Sequence, residues 1–435
     1  MSVTETVTLT NLELTRTFFA IVLLLVSAHF FGYLFKRFAL PRVIGEIFGG
    51  LLLGPTGLGF IWPDAHNWIF NAFDAEGKLI SIIYWFGLVL LMFISGFELE
   101  KSVDRKDRRI ILAILLGSTV VPFLAGWMAP TVYDFSPYLG TKANMPALKI
   151  IIAIAVAVTS IPVISKIFLD LDIIHTRFAK IVLATATIHD VFLWVALAIA
   201  TGLVSASSLG LGNIVSTVVI TIVFFALALS VMPRLIRFSN GFRYNLLIKS
   251  SSSGYVLLIC FLFSATASVL DVNIVFGAFL AGIVIGVMPR DRFGEEKKHI
   301  KEIGLAFFIP LYFAIVGLKL DLVHHLDFMF FLGFLLFASV FMTAGTLVAA
   351  RLAKKDWLSS FNLAVAMNTR GGPGIVLATV AFDLGIINQA FFVALVLIAI
   401  VTSLLAGYWF KYVISRGWPL LTGELELLQQ GRRPA

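Results

Sequence analysis

Residues 151–158 read Ile-Ile-Ala-Ile-Ala-Val-Ala-Val, and Thr159-Ser160-Ile161-Pro162 interrupts this apolar run. A second apolar stretch covers residues 181–194 and carries His189-Asp190 in its middle. Both stretches are apolar enough to lie in lipid, where ionisable side chains are costly to bury. Groups retained at such depth indicate a functional site, which residues 147–199 are expected to contain.

The composition of the whole chain indicates a polytopic membrane protein. Of its 435 residues 59% are hydrophobic and only 13% are charged, and the mean hydropathy is +0.98. A helix that crosses about 30 Å of hydrocarbon needs about 20 residues. The chain contains thirteen apolar segments that suit this length, separated by charged loops. They are 16–35, 43–60, 79–97, 110–133, 147–168, 178–203, 211–232, 250–269, 273–288, 303–318, 328–350, 358–382 and 386–410.

The basic residues predict how these segments are oriented. The net charge is +8, and 27 of the 33 Lys and Arg fall on one side when sides alternate along thirteen spans. Basic loops remain in the cytoplasm, so we expect the N-terminus outside and the C-terminus inside. This uneven placement explains the positive charge better than nucleic-acid binding does. The exceptions are Arg16, Lys78, Lys142, Lys149 and Lys319 on the other side and Arg370 inside a span.

Several smaller features of the sequence argue against other classes of site and domain. Cys260 is the single cysteine, so the chain can form no internal disulfide. Residues 1–15 lack a basic n-region, which favours the first span as its own insertion signal. The glycines of 43–60 predict close helix packing rather than a phosphate loop. His324-His325 are interpreted as a solvated pair in preference to a metal site, and the tail after Tyr412 is too short for a regulatory domain.

The two halves of the chain predict an inverted repeat. If the seventh span is a linker, spans one to six and eight to thirteen form two six-helix repeats that enter the membrane from opposite faces. The fifth member of each repeat carries helix breakers. One is the Thr159-Ser160-Ile161-Pro162 interruption, and the other is Asn368-Thr369-Arg370-Gly371-Gly372-Pro373-Gly374. Breaks at corresponding places in two repeats are typical of a transporter's binding site.

Counting from the predicted span ends puts Thr159, Asp190 and Arg370 at one depth, roughly 18–20 Å into the membrane. A carboxylate there can hold either a proton or a dehydrated monovalent cation. This mutual exclusion is the coupling step of an antiporter, so Asp190 is the predicted ion and proton site. Unwound carbonyl groups at the breaks can assist in binding the cation.

The neighbouring residues leave alternatives open. Thr159 and Ser160 either coordinate the ion or bond back to their own helix. His189 either lines the cavity, tunes Asp190 or senses pH, or it is a hydrogen-bonded core histidine. Arg370 is expected to stabilise the core by balancing the two broken helices, with a buried Asp190–Arg370 ion pair as the purely structural alternative.

At these residues the sequence resembles the second branch of the monovalent cation:proton antiporter superfamily, which includes bacterial sodium/proton and potassium/proton exchangers and plant cation/proton exchangers. The resemblance covers nearly the whole chain. It implies the fold of sodium/proton antiporters, with crossed discontinuous helices. The motifs that carry it are Ala157-Val158-Thr159-Ser160-Ile161-Pro162-Val163-Ile164, Ile188-His189-Asp190-Val191-Phe192-Leu193-Trp194, Phe276-Gly277-Ala278-Phe279-Leu280-Ala281-Gly282, Pro310-Leu311-Tyr312-Phe313 with Val316-Gly317-Leu318, and Asn368-Thr369-Arg370-Gly371-Gly372.

The resemblance also implies a homodimer in which a mobile core carries the ion across the membrane as an elevator. We assign 147–203 and 303–382 to the core, with Asn368 and Arg370 stabilising it, and 16–60 and 211–288 to the scaffold or dimerisation elements. Family members usually carry Asp-Asp or Asn-Asp in place of His189-Asp190, and many electrogenic members carry Lys where this chain aligns Met342. These departures favour exchange of one cation for one proton, unless His189 carries a second proton.

The sequence therefore predicts an all-α secondary antiporter of the plasma (inner) membrane that exchanges Na⁺ or K⁺ for H⁺ by alternating access. Its expected partners are these ions, membrane lipid and a second copy of the chain, with no cofactor and no nucleic acid. A cation channel and a transport-inactive pH or ion sensor of the same fold are the alternatives. An enzyme is disfavoured because no catalytic pair or metal motif lies at depth.

Overall fold

The computed structural model describes residues 9–38, 40–73, 75–98, 106–205, 211–241, 246–288 and 290–422. Within these ranges the chain is helical apart from turns and one isolated β-bridge between Leu139 and Ile387. The first helices are α1 (Asn11–Arg37), α2 (Arg42–Leu53), α3 (Leu58–Ile61), α4 (Pro63–Phe70), α5 (Glu76–Phe97), α6 (Arg108–Met128), α7 (Met145–Ala157), α8 (Ile161–Asp170), α9 (Arg177–Ser205) and α10 (Leu211–Ser230). The later helices are α11 (Met232–Gly241), α12 (Leu246–Ser250), α13 (Ser252–Val269), α14 (Ile274–Val287), α15 (Arg290–Ile303), α16 (Ile309–Leu318), α17 (Leu322–His325), α18 (Phe328–Leu352), α19 (Trp357–Met367), α20 (Gly371–Asp383) and α21 (Gln389–Ser415). Short 3-10 turns cover Ala129–Thr131 and Ser136–Tyr138, and a π-helical turn covers Gly304–Phe308.

Ten helical stretches in the described ranges are long and apolar enough to cross a membrane. They overlap ten of the segments predicted from hydropathy. The other three predicted segments correspond to α7 with α8, to α19 with α20, and to the 14-residue α14. The prediction of an all-helical fold is confirmed for the described residues, and ten of their helical stretches have the length and composition of membrane spans.

One of two compact units comprises the described residues up to Leu91 together with His299–His324. Its helices α2 and α16 pack at backbone distance. A Cβ atom added to Gly50 would lie 1.8 Å from the carbonyl oxygen of Ala314, so only glycine fits there. The small-residue spacing of 43–60 therefore serves close helix packing, as the sequence indicates.

The other unit comprises Met92–Lys298 and the described residues from His325 onward, and it holds every predicted ion-site residue. Its helices α6 and α18 approach closely because Gly117 and Gly345 face each other. A Cβ atom on Gly117 would lie 2.4 Å from the Gly345 carbonyl oxygen. Both breaks and the Asp190 helix are thus parts of one packed body.

Three loops of this unit meet around Tyr138, and we call this contact the loop clasp. The Tyr138 hydroxyl donates to Oδ2 of Asp327 at 2.8 Å, and its ring stacks on Phe330 with centroids 3.7 Å apart. The Asn388 amide donates to the Tyr138 carbonyl oxygen at 3.1 Å. Hydrogen bonds from the Phe330 amide and the Tyr138 hydroxyl hold the pKa of Asp327 below its ordinary value. The clasp joins the segments that lead into α7, α18 and α21.

Some sequence predictions fall outside the described residues. The end of the C-terminal tail, 423–435, is one of them. The others are basic residues that contribute to the predicted orientation: Lys101, Arg105, Arg243, Arg432 and Arg433.

Candidate functional site

The first predicted break separates α7 from α8. Helix α7 ends at Ala157 and α8 begins at Ile161, so residues 158–160 are not helical. The Ser160 hydroxyl oxygen accepts a hydrogen bond from the Val163 amide at 3.4 Å and caps α8. Pro162 lies in the first turn of α8, just after the gap, where a missing amide donor costs nothing.

The second predicted break separates α19 from α20. Helix α19 ends at Met367 and α20 begins at Gly371, which leaves Asn368, Thr369 and Arg370 outside the helices. The residues Gly371, Gly372 and Pro373 lie in the first turn of α20. As at the first break, the helix-breaking residues follow the gap instead of filling it.

The two breaks lie against each other. Gly371 has a φ of +39°, and a Cβ atom there would lie 2.4 Å from Cγ2 of Val163 and 2.7 Å from Oγ of Ser160. A left-handed backbone and a lack of space both require glycine at this position. The Thr159 hydroxyl also points to the Thr369 carbonyl oxygen across a long 3.5 Å contact. The structure therefore brings the two interruptions into contact.

Arg370 is 2% exposed and binds the end of α7. Its Nε donates to the Ala155 carbonyl oxygen at 3.2 Å, and its Nη2 donates to that of Val156 at 3.1 Å. Its Nη1 donates to Oδ1 of Asn368 at 2.8 Å. The guanidinium charge thus stands at the carbonyl end of a helix, where the helix dipole is negative. Among the described residues no ion pair joins Arg370 to Asp190.

Asp190 lies on the uninterrupted helix α9 and is 5% exposed. Its Oδ1 atom is buried and has no hydrogen-bond partner in the described part of the chain. The side chain faces a small cavity with room for about one water molecule. The other residues that line this cavity are apolar: Ile154, Val158, Leu193, Trp194, Leu197, Pro373 and Leu377. Asp190 therefore shares one cavity with residues from both breaks.

The other predicted site residues, His189, Thr159 and Ser160, do not contact the Asp190 carboxylate through a hydrogen bond in the described part of the chain. His189 is fully buried, both of its ring nitrogens lack a hydrogen-bond partner in the described ranges, and it does not line the Asp190 cavity. No hydrogen bond within the described residues joins Asp190 to Thr159 or Ser160. Met342 is also fully buried and belongs to a hydrophobic cluster with Val163 of α8.

The cavity includes residues that the sequence predictions missed. Leu193, Trp194 and Leu197 follow Asp190 by three, four and seven positions, which is the spacing of one helix face. Helical periodicity counted from Asp190 would therefore have been enough to predict these three cavity residues. Leu377 has the same relation to Pro373 on α20, but only the contact of the breaks brings that helix to Asp190.

Comparison with known proteins agrees with this architecture. The family described as "Sodium/hydrogen exchanger, transmembrane" matches residues 24–416. K⁺/H⁺ antiporter 1 of Saccharomyces cerevisiae is 29% identical over 90% of this chain, and Na⁺/H⁺-K⁺ antiporter GerN of Bacillus cereus is 27% identical over 92%. The chain spans 45% of the length of the yeast protein and 96% of that of GerN.

The fold also agrees with a solved structure. The sodium proton antiporter MjNhaP1 of Methanocaldococcus jannaschii superposes with a TM-score of 0.63 at 14% identity. The match covers 92% of this chain and 98% of the solved one. With the family matched over almost all of its length, the chain belongs to the sodium/hydrogen exchangers, a family of transporters within the cation:proton antiporter superfamily.

Proposed function

We propose that this chain exchanges a monovalent cation, Na⁺ or K⁺, for H⁺ at Asp190 by alternating access. The observation that carries the proposal is the buried, unpartnered Oδ1 atom of Asp190 in a cavity shared with both breaks. An ionised carboxylate in such surroundings is costly unless a positive partner neutralises it. A proton and a monovalent cation are the two partners that the cavity can accommodate in turn.

Arg370 supports the proposal that Asp190 binds a mobile ion, because the Arg370 guanidinium group forms its hydrogen bonds with residues other than Asp190. All three guanidinium nitrogens donate to Ala155, Val156 or Asn368. The permanent positive charge therefore balances the carbonyl end of α7 and leaves Asp190 for a mobile ion. Thr159, Ser160 and the carbonyl groups of the non-helical residues 158–160 are the proposed oxygen ligands, which a movement of the breaks would bring to the cation. His189 is proposed as a neighbour that tunes the carboxylate.

The arrangement of the whole protein is part of the same proposal. It has thirteen spans in two inverted repeats, with the N-terminus outside and the C-terminus in the cytoplasm, and it forms a homodimer. The core elements are 147–203 and 303–382 and the scaffold elements are 16–60 and 211–288, although 303–324 groups with the compact unit of α1 and α2. The core moves the ion across the membrane as an elevator.

The test is exchange in proteoliposomes. Addition of Na⁺, K⁺ or Li⁺ in turn should dissipate a preset pH gradient for at least one of them, and Asp190→Asn should reduce this signal to the level of protein-free liposomes. Asp170→Asn is the matched control because Asp170 pairs with Lys166 at the surface of α8. Cation flux without proton flux would instead indicate a channel. If neither cations nor protons cross the membrane, the sensor alternative would be favoured.

A further inference from the structure

The chain reverses direction after α21 and returns to the helices of the same unit. Gly417 has a φ of +67°, and its amide donates to the Ile414 carbonyl oxygen at 2.9 Å. The Trp418 amide donates to the Val413 carbonyl oxygen at 3.1 Å. This is the glycine-terminated helix end that turns a chain back on itself. We call the segment that follows, Gly417–Thr422, the C-terminal strap.

Asn362 holds the middle of the strap. This side chain is fully buried in the interior of α19. Its Nδ2 donates to the carbonyl oxygens of Pro419 at 3.3 Å and Leu420 at 3.1 Å, and its Oδ1 accepts from Nε1 of Trp409 at 2.9 Å. Asparagine is a poor residue for a helix interior, and a buried amide is costly when unpaired. Here the amide is fully used to join α19 to α21 and to the strap.

Thr422 attaches the end of the strap to the first turn of α19. Its amide donates to Oγ of Ser359 at 2.9 Å, and the two hydroxyl oxygens lie 3.1 Å apart. The Thr422 hydroxyl also donates to Asp356, whose carboxylate caps α19 by accepting from the Ser359 amide at 3.1 Å. Both the middle of the strap, at Asn362, and its end, at Thr422, are therefore bound to α19 or to its N-terminal cap.

Two apolar side chains of the strap belong to a hydrophobic cluster that also contains residues of the other broken span. Leu421 is fully buried and Leu420 is 7% exposed. Both belong to one hydrophobic cluster that includes Phe168 of α8 and Met367 of α19. Helix α8 starts directly after Ser160, and α19 ends directly before Asn368. The strap thus shares one hydrophobic cluster with the two half-helices next to the breaks, α8 after the first break and α19 before the second.

We propose that the C-terminal strap is a positioning element of the ion site, with Asn362 as its principal positioning residue. By binding α19 and packing with α8, the strap fixes the spacing of the two breaks beside Asp190. Its hydrogen bonds join residues of one compact unit, and the proposal requires that the strap stays docked throughout the transport cycle. The inference rests on the proposed exchange function, since its readout is the affinity of that site.

The first experiment measures the cation concentration that gives half-maximal exchange. Asn362→Ala should raise this concentration roughly five- to tenfold, which corresponds to the loss of one or two hydrogen bonds, with a smaller change in maximal rate. Asn362→Gln keeps the same groups and should restore part of the affinity. A lower melting temperature with unchanged half-maximal concentration in Asn362→Ala would mean that the strap only stabilises the fold, and the proposal would be wrong.

The second experiment locks the strap. Ser359→Cys with Thr422→Cys, in a Cys260→Ala background that removes the only native cysteine, places two thiols where the hydroxyl oxygens lie 3.1 Å apart. The oxidised protein should exchange as fast as the reduced one, and the disulfide should recover the affinity lost in Asn362→Ala. Inhibition on oxidation that a reductant reverses would show that the strap must detach, which contradicts a permanent positioning role. If the wild-type protein exchanges no cation at all, the proposed function fails rather than the strap.

Discussion

Arg370 lies in the second break, and Asp190 lies on the uninterrupted helix α9 in a cavity that Val158 and Pro373 also line. Depth counting along the spans singles out both residues. Their partners could not be predicted in the same way. Opposite charges at one depth suggest an ion pair, but Arg370 donates to the carbonyl groups of Ala155 and Val156. Those carbonyls lose their helical partners only because α7 ends there, and the direction of the arginine side chain depends on how the breaks meet.

Replacing Arg370 tests its role at the end of α7. Arg370→Gln removes the charge and most of three hydrogen bonds, each worth about 1.5–3 kcal/mol when one partner is charged. We expect the melting temperature of the purified protein to fall by roughly 5 °C or more. Arg370→Lys should recover only part of this loss, because an ammonium group cannot reach two carbonyls and Asn368 together. Arg234→Gln, at an exposed site that bonds to the Ser230 carbonyl oxygen, is the control. Equal melting of Arg370→Gln and wild type would contradict the assignment.

At the scale of elements, both spans that carry helix breakers in the sequence contain non-helical residues in the structure, at 158–160 and 368–370. The position of the helix-breaking residues relative to the non-helical gap could not be predicted from composition. Pro162 and Gly371 lie in the first turn of the second half-helix of each span, while the non-helical residues precede that half-helix. Proline and glycine are well tolerated in a first turn, where amide donors have no helical partner. A breaker therefore indicates where the next half-helix starts.

The contact between the breaks gives a matched pair of substitutions. A Cβ atom on Gly371 would collide with Val163 and Ser160, whereas one on Gly372 meets nothing within 4 Å. We expect Gly371→Ala to destabilise the protein by about 1–3 kcal/mol, from backbone strain and forced separation of the breaks. Gly372→Ala should be neutral or slightly stabilising, since alanine favours helix. Thermal unfolding of both variants decides the matter, and equal melting temperatures would show that the breaks are not held this closely.

At the scale of the whole molecule, hydropathy and charge predict the helical architecture because each span must be apolar over its own length. They do not predict contacts between distant loops. The loop clasp joins residues 138, 327 and 388, and the C-terminal strap depends on Asn362, a polar residue with no distinctive local pattern. Such contacts arise only when separate parts of the chain meet. The wall of the Asp190 cavity is an intermediate case, since helical periodicity from Asp190 indicates Leu193, Trp194 and Leu197 but not the lining residues of the other helices.

The charge count of the site predicts electroneutral exchange. Asp190 is the one buried carboxylate at the described breaks, and the buried Met342 offers no second titrating group. One cation should therefore cross for each proton. Exchange rates measured in proteoliposomes at two imposed membrane potentials, with the same pH gradient, should be equal. A rate that changes with potential would exclude one-for-one exchange and would direct attention to His189 as a second proton carrier.

The loop clasp has a practical consequence for work on this protein. Its carboxylate, Asp327, has a lowered pKa, so the stability that it contributes is complete above the ordinary pKa of an aspartate and is lost only as the pH falls through the lowered value. The corner formed by three loops thus keeps its shape across the whole neutral and mildly acidic range. An antibody fragment raised against this corner should therefore bind with similar affinity at neutral and at mildly acidic pH, and it would serve as a marker for particle alignment in electron microscopy.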